Sequence, residues 1–130
     1  MMERIDHIGI AVKDLEATLK FYEETLGFKV GEKMDHGTSR GAFVTIGEVD
    51  FELLENKDRS SAIARHIEKR GEGFQHIAFQ VKNIAEAIEE LKKKGIRFID
   101  EKPRPGARGS RIAFIHPQNT YGVLMELVER

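Results

Sequence analysis

The chain repeats itself, and this restricts its fold more than any other feature. Residues 5–15 read Ile-Asp-His-Ile-Gly-Ile-Ala-Val-Lys-Asp-Leu, and residues 74–84 read Phe-Gln-His-Ile-Ala-Phe-Gln-Val-Lys-Asn-Ile. The pairing sets His7 on His76, Val12 on Val81, Lys13 on Lys82 and Asp14 on Asn83. Downstream, Gly27 faces Gly95, Ser39-Arg40-Gly41-Ala42-Phe43 faces Ser110-Arg111-Ile112-Ala113-Phe114, and Phe51-Glu52-Leu53 faces Met125-Glu126-Leu127. The offset drifts by small loop insertions, but the order never breaks. Two copies are too few for a solenoid, whose units stack in series. The expected organisation is one domain over 1–130, with module one at 1–55, a linker helix within 56–73 and module two at 74–130.

Each copy reads β-α-β-β-β. In the first, 5–12 alternates and is rich in Ile and Val, the pattern of a strand. Asp14 is placed to cap a helix whose stripe is Leu15, Leu19, Tyr22 and Leu26, with Gly27 ending it. Strands are expected at 28–34, 40–47 and 49–54. In the second copy they are expected at 75–82, 96–101, 110–116 and 122–128, with Asn83 capping a helix that stops at Gly95. Ser60 or Ser61 caps the linker helix, which carries Ile63 and Ile67 on one face.

Strand alternation assigns faces. Ile8, Ile10 and Val12 belong under the helix, as do Ile77, Phe79 and Val81, so His7 and His76 point the other way beside Gly9, Ala11 and Ala78. By the same count Glu52 and Glu126 face away from the helices, between apolar neighbours that face toward them. A mid-strand carboxylate in such company is costly to bury without a partner. Two imidazoles and two carboxylates suit a divalent ion of intermediate hardness: Co²⁺, Ni²⁺, Mn²⁺, Fe²⁺ or Zn²⁺. Glu55 and Glu129, three residues on, read as solvated strand ends. His36 falls in a polar turn and His66 on the linker helix, while His116 precedes Pro117 at a strand end, where it is a candidate pocket residue.

A repeated βαβββ module with His in its first strand and Glu in its last resembles the vicinal-oxygen-chelate superfamily, and within it the methylmalonyl-CoA epimerases. The carrying stretches are 5–12, 51–55, Gly71-Glu72-Gly73-Phe74-Gln75-His76, and Pro103-Arg104-Pro105-Gly106-Ala107-Arg108-Gly109 followed by Ala113-Phe114-Ile115-His116-Pro117. The resemblance implies an α+β fold in which both modules form one eight-stranded, cup-like mixed sheet with helices outside. It implies a divalent metal, Co²⁺ foremost, on His7, Glu52, His76 and Glu126, and epimerisation at C2 of an acyl-CoA thioester through an enolate. Such a metal acts as a Lewis acid on carbonyl-type oxygens. Glu126, and after it Glu52, are the candidate bases. Some family members carry a further Glu in the third strand of module one; here 41–46 reads Gly-Ala-Phe-Val-Thr-Ile, so the second base stays open. Arg104, Gly106, Arg108 and His116 are candidate substrate contacts, the arginines for carboxylate or phosphate.

Composition closes off other classes. With no cysteine there is no thiol racemase chemistry and no disulfide. A net charge of -1 does not suit a generic nucleic-acid binder. No apolar run approaches the ~20 residues of a membrane span, and the opening Met-Met-Glu-Arg leads straight into a strand pattern, so a cytoplasmic protein is expected. The resemblance also suggests a homodimer, which would protect exposed sheet edges. A lactoylglutathione lyase-like enzyme and a non-enzymatic binding protein of the same fold are the competing readings.

Overall fold

The computed structural model describes residues 1–130. Its elements are β1 (Met2–Ala11), α1 (Leu15–Lys20), β2 (Lys29–His36), β3 (Ser39–Ile46), β4 (Val49–Asn56), α2 (Ala62–Arg70), β5 (Gly73–Val81), α3 (Ile84–Lys93), β6 (Arg104–Pro105), β7 (Arg111–Ile115) and β8 (Met125–Glu129). Hydrogen bonds order the eight strands β2-β3-β4-β1-β5-β8-β7-β6. The β1–β4 and β5–β8 pairs are parallel, and the hairpin pairs are antiparallel. The chain forms two compact units, one of His7–Gln75 and one of Met1–Asp6 with His76–Arg130. Strand β1 thus starts in one unit and ends in the other.

In the unit His7–Gln75, α1 starts where two carboxylates meet free backbone N–H groups. Asp14 Oδ1 accepts from Ala17 N–H at 3.1 Å, and Glu55 Oε2 accepts from Leu15 N–H at 2.8 Å. Negative charge at a helix start is favourable on its own account. Leu15 and Leu19 pack on Ile10, Val12, Ala42, Val44 and Leu53. Past Lys20 the helix widens into one π turn, Phe21–Thr25. The extra residue rotates the stripe, leaving Tyr22 among Phe28 and Phe51 while Leu26 becomes 47% exposed, against the sequence expectation. Gly27 follows at φ +78°, a backbone state that suits glycine. Ser61 caps α2 through Ala64 N–H at 3.1 Å, and Glu72 Oε1 accepts from Lys13 N–H at 2.7 Å.

The other unit repeats the device. Asn83 Oδ1 accepts from Glu86 N–H and Glu129 Oε2 from Ile84 N–H, at 3.1 and 2.9 Å. Helix α3 buries Ile84, Ala87 and Ile88 against Val81, Phe98, Ala113, Ile115 and Leu127. Glu55 and Glu129 are therefore helix-start acceptors rather than solvated strand ends, and Glu55 is only 4% exposed.

The strand expected at 96–101 does not form. Phe98 makes one bridge to Ile115, and pairing resumes only at β6. Asp100 Oδ2 takes the Phe114 N–H at 2.9 Å, a place a ladder carbonyl would fill, and Pro103 and Pro105 have no N–H to give.

Candidate active site

His7 and Glu52 lie on neighbouring strands in one unit. The β1–β4 register places Gly9 beside Glu52, and β3–β4 places Phe43 opposite it. Gly9 has no side chain to set beside that of Glu52. His7 Nε2 stands 3.3 Å from Glu52 Oε1, and the Phe43 ring meets the imidazole edge-on at 6.1 Å between centroids. His7 is 4% and Glu52 8% exposed.

The other unit carries the same triplet. Ala78 lies beside Glu126 across β5–β8, and Phe114 lies opposite Glu126 across β7–β8. Phe114 meets the His76 ring edge-on at 5.3 Å. His76 and Glu126 are both buried. Each unit thus presents a His, a Glu and a Phe on its helix-free face, with a residue of little or no side chain between the two polar groups.

This donor set suits a metal ion. Two ligands each ~2.1 Å from an ion and about 90° to 110° apart lie ~3.0–3.4 Å from one another, which matches the His7–Glu52 separation of 3.3 Å. Imidazole with carboxylate and no thiolate favours first-row divalent ions over soft ones.

The four candidate substrate residues fall on the segment 104–116. Arg104 is drawn back into the fold. Its Nε donates to Asp100 Oδ1 at 2.9 Å, and its guanidinium carbon sits 5.7 Å from the centre of the Phe114 ring. It supports the ring against which His76 rests, and its side chain remains 51% exposed. Gly106 opens a tight turn, and a Cβ there would stand 2.5 Å from Ile112 Cγ2 and 2.7 Å from Ser110 Oγ, so only glycine fits. Arg108, at the exposed tip of that turn, has left-handed φ +57°. His116 Nδ1 accepts from Gln118 N–H at 3.1 Å. With Nδ1 used as an acceptor, Nε2 is the ring's donor position. Sequence reading missed Asp100, Asp6 and Arg130. Asp6 stood within a quoted motif, yet nothing in its spacing named its partner, Arg130, 124 residues away.

Residues 4–127 match the Glyoxalase/Bleomycin resistance protein/Dioxygenase superfamily. The mitochondrial methylmalonyl-CoA epimerase of Homo sapiens is 41% identical over 95% of this chain and 72% of its own length. The ethylmalonyl-CoA/methylmalonyl-CoA epimerase of Cereibacter sphaeroides is 38% identical over 98% of both chains. The solved structure of a variant of the Streptomyces coelicolor methylmalonyl-CoA epimerase, in complex with 2-nitronate-propionyl-CoA, is similar with a TM-score of 0.93. It is 39% identical, over 99% of this chain and 95% of that one. The chain belongs to the Glyoxalase/Bleomycin resistance protein/Dioxygenase superfamily and, within it, to the methylmalonyl-CoA epimerases.

Proposed function

We propose that this protein is a metal-dependent epimerase that interconverts the C2 epimers of methylmalonyl-CoA. The observation that carries the reading is the duplicated His–Glu–Phe triplet, one in each unit of a chain from the epimerase family. His7, Glu52, His76 and Glu126 are the proposed ligands of one divalent ion, Co²⁺ first among Ni²⁺, Mn²⁺, Zn²⁺ and Fe²⁺. When bound, that ion supplies Lewis-acid stabilisation of negative charge on the substrate's carbonyl-type oxygens.

The remaining chemistry falls to the chain. The C2 proton, between a thioester and a carboxylate, is too weakly acidic to leave unaided at neutral pH. A carboxylate must take it from one face, and a second group must return a proton to the other. Glu126 is the first choice of base and Glu52 the second, since 41–46 offers no carboxylate. Apolar rings beside each pair exclude water and strengthen local electrostatics. Arg108 is the proposed anion contact, with His116 Nε2–H a donor to the acyl-CoA.

The expected assembly is a cytoplasmic homodimer. Charged residues stud the outer strand β2, one way of guarding an edge, and no helix is long and apolar enough to cross a membrane. Sedimentation should give twice the 14.8 kDa chain mass.

The deciding experiment is metal analysis of the purified protein together with incubation of the Co²⁺-loaded form with methylmalonyl-CoA in D₂O. Stoichiometric metal, deuterium wash-in at C2 and an equilibrated mixture of the C2 epimers are expected. A metal-loaded protein that leaves C2 unlabelled overturns the reading.

A further inference from the structure

The turn that carries Arg108 is held from below. The Ala107 carbonyl accepts from Ser110 Oγ at 2.7 Å, from Ser110 N–H at 3.3 Å and from Arg130 Nη1 at 3.4 Å. The Gly106 N–H donates to the Ser110 carbonyl at 2.9 Å, closing the turn. Ser110 is buried, so its hydroxyl is committed to this contact. Arg130 also grips Asp6 with two arms, Nε to Oδ1 at 3.0 Å and Nη2 to Oδ2 at 2.5 Å. Asp6 is 8% exposed, and the Arg130 side chain 27%. This is a fork-on-carboxylate pair, the charge-assisted geometry that is both stronger and more directional than a single hydrogen bond.

We infer that Arg130 is a positioning residue. It fixes the 106–110 turn to the middle of β1 at Asp6, so that Arg108 stays in its left-handed conformation with its guanidinium presented to an anionic group of the acyl-CoA. The inference rests on the function proposed above for its substrate half and on the hydrogen bonds alone for its structural half. A non-glycine residue in the left-handed region is held there only when its surroundings demand it. The acceptor shared at Ala107, one residue before Arg108, meets that demand. Asp6 supplies the anchor, being buried, paired and immediately before His7 in the strand. Without the Arg130 arm the turn keeps its Ser110 bonds but loses its tie to β1. Arg108 then samples other backbone states, and substrate capture weakens while the proton-transfer groups stay in place.

The test uses the Co²⁺-loaded full-length protein and compares wild type with R130A, R130K and D6N. Amide hydrogen exchange over 104–111 should quicken in R130A and D6N, while α3 keeps its protection. KM for methylmalonyl-CoA should rise about tenfold or more, the scale of a lost charged hydrogen bond. The turnover number should change less than about threefold, and Co²⁺ affinity should hold. R130K keeps the charge but not the fork, and should fall between. Unchanged exchange over 104–111 in both R130A and D6N overturns the positioning role. So does turnover that falls as far as KM rises. A wild-type protein with no epimerisation overturns the proposed function instead, and the exchange measurement still decides whether Arg130 holds the turn.

Discussion

At the scale of single residues, each terminal strand of a repeat carries two glutamates three apart, with opposite duties. Glu52 and Glu126 face the side that holds His7 and His76, while Glu55 and Glu129 reach back to the first N–H of a helix. The separation follows from the strand's period of two, which sends residues three apart to opposite faces. Substituting Glu126→Gln keeps an oxygen able to ligate and removes the basic carboxylate. Turnover should fall about 10²–10⁴-fold, the usual range for a lost general base, with most of the Co²⁺ affinity retained. Deuterium wash-in at C2 measures the one and metal titration the other; near wild-type exchange would make Glu126 a ligand only. Substituting Glu55→Ala instead leaves a buried N–H at Leu15 without its acceptor, and should lower stability by about 1–3 kcal/mol in urea melts without touching metal affinity. The metal-type residues were legible in sequence because alternation and duplication are local patterns. The duty of Glu55 was not, since a string of letters does not show a strand end passing beneath a helix start formed 40 residues earlier.

At the scale of elements, the helices and the first module's strands followed from periodicity and caps: Asp14, Ser61 and Asn83 all accept from the expected turn. Two elements departed. The π turn at Phe21–Thr25 shifted Leu26 outward, and nothing in the Leu15–Leu26 stripe distinguishes a helix with one extra residue from a regular one. The segment 96–101 has a strand's composition, but the Phe114 N–H opposite it donates to a side chain, Asp100 Oδ2, rather than to a ladder carbonyl. Helix α2 adds a pH dependence. Burial chiefly, and then the charge of Arg70, hold His66 below its ordinary 6.5, while the backbone of Phe74 works against both. The folded state therefore binds fewer protons than the unfolded chain as pH falls below about 6.5. Folding stability should fall as pH drops through that value toward the lower folded-state one, with no contribution above neutrality. The effect is small for a group so partly covered. Denaturant melts of H66Q between pH 7.5 and 5.5 should show a shallower decline than wild type; an identical slope refutes the assignment.

At the scale of the whole molecule, duplication has a consequence that a single-module protein lacks. If one ion draws a histidine and a glutamate from each repeat, as proposed, neither repeat holds it with half the strength. Two ligands fixed on one strand pair gain little from chelation, whereas four ligands sharing one ion gain more, because each ligand bound lowers the ordering cost of the next. Binding to the folded form alone stabilises it, by about 2.7 kcal/mol at a free-ion concentration 100 times Kd. For a chain of this size that raises Tm by roughly 10 °C. H7A and H76A, though they lie in different units, should each abolish that rise, and to the same extent. Their metal-free melting temperatures should fall below the wild type's, since each loses a buried, ring-packed side chain, so the metal-induced rise is read within each variant. Calorimetric melts of the three proteins with and without Co²⁺ measure all of this. A variant that keeps the full shift would mean that the ion rests on one repeat alone, and the duplicated triplet would then be an inheritance of the fold rather than two halves of a metal centre.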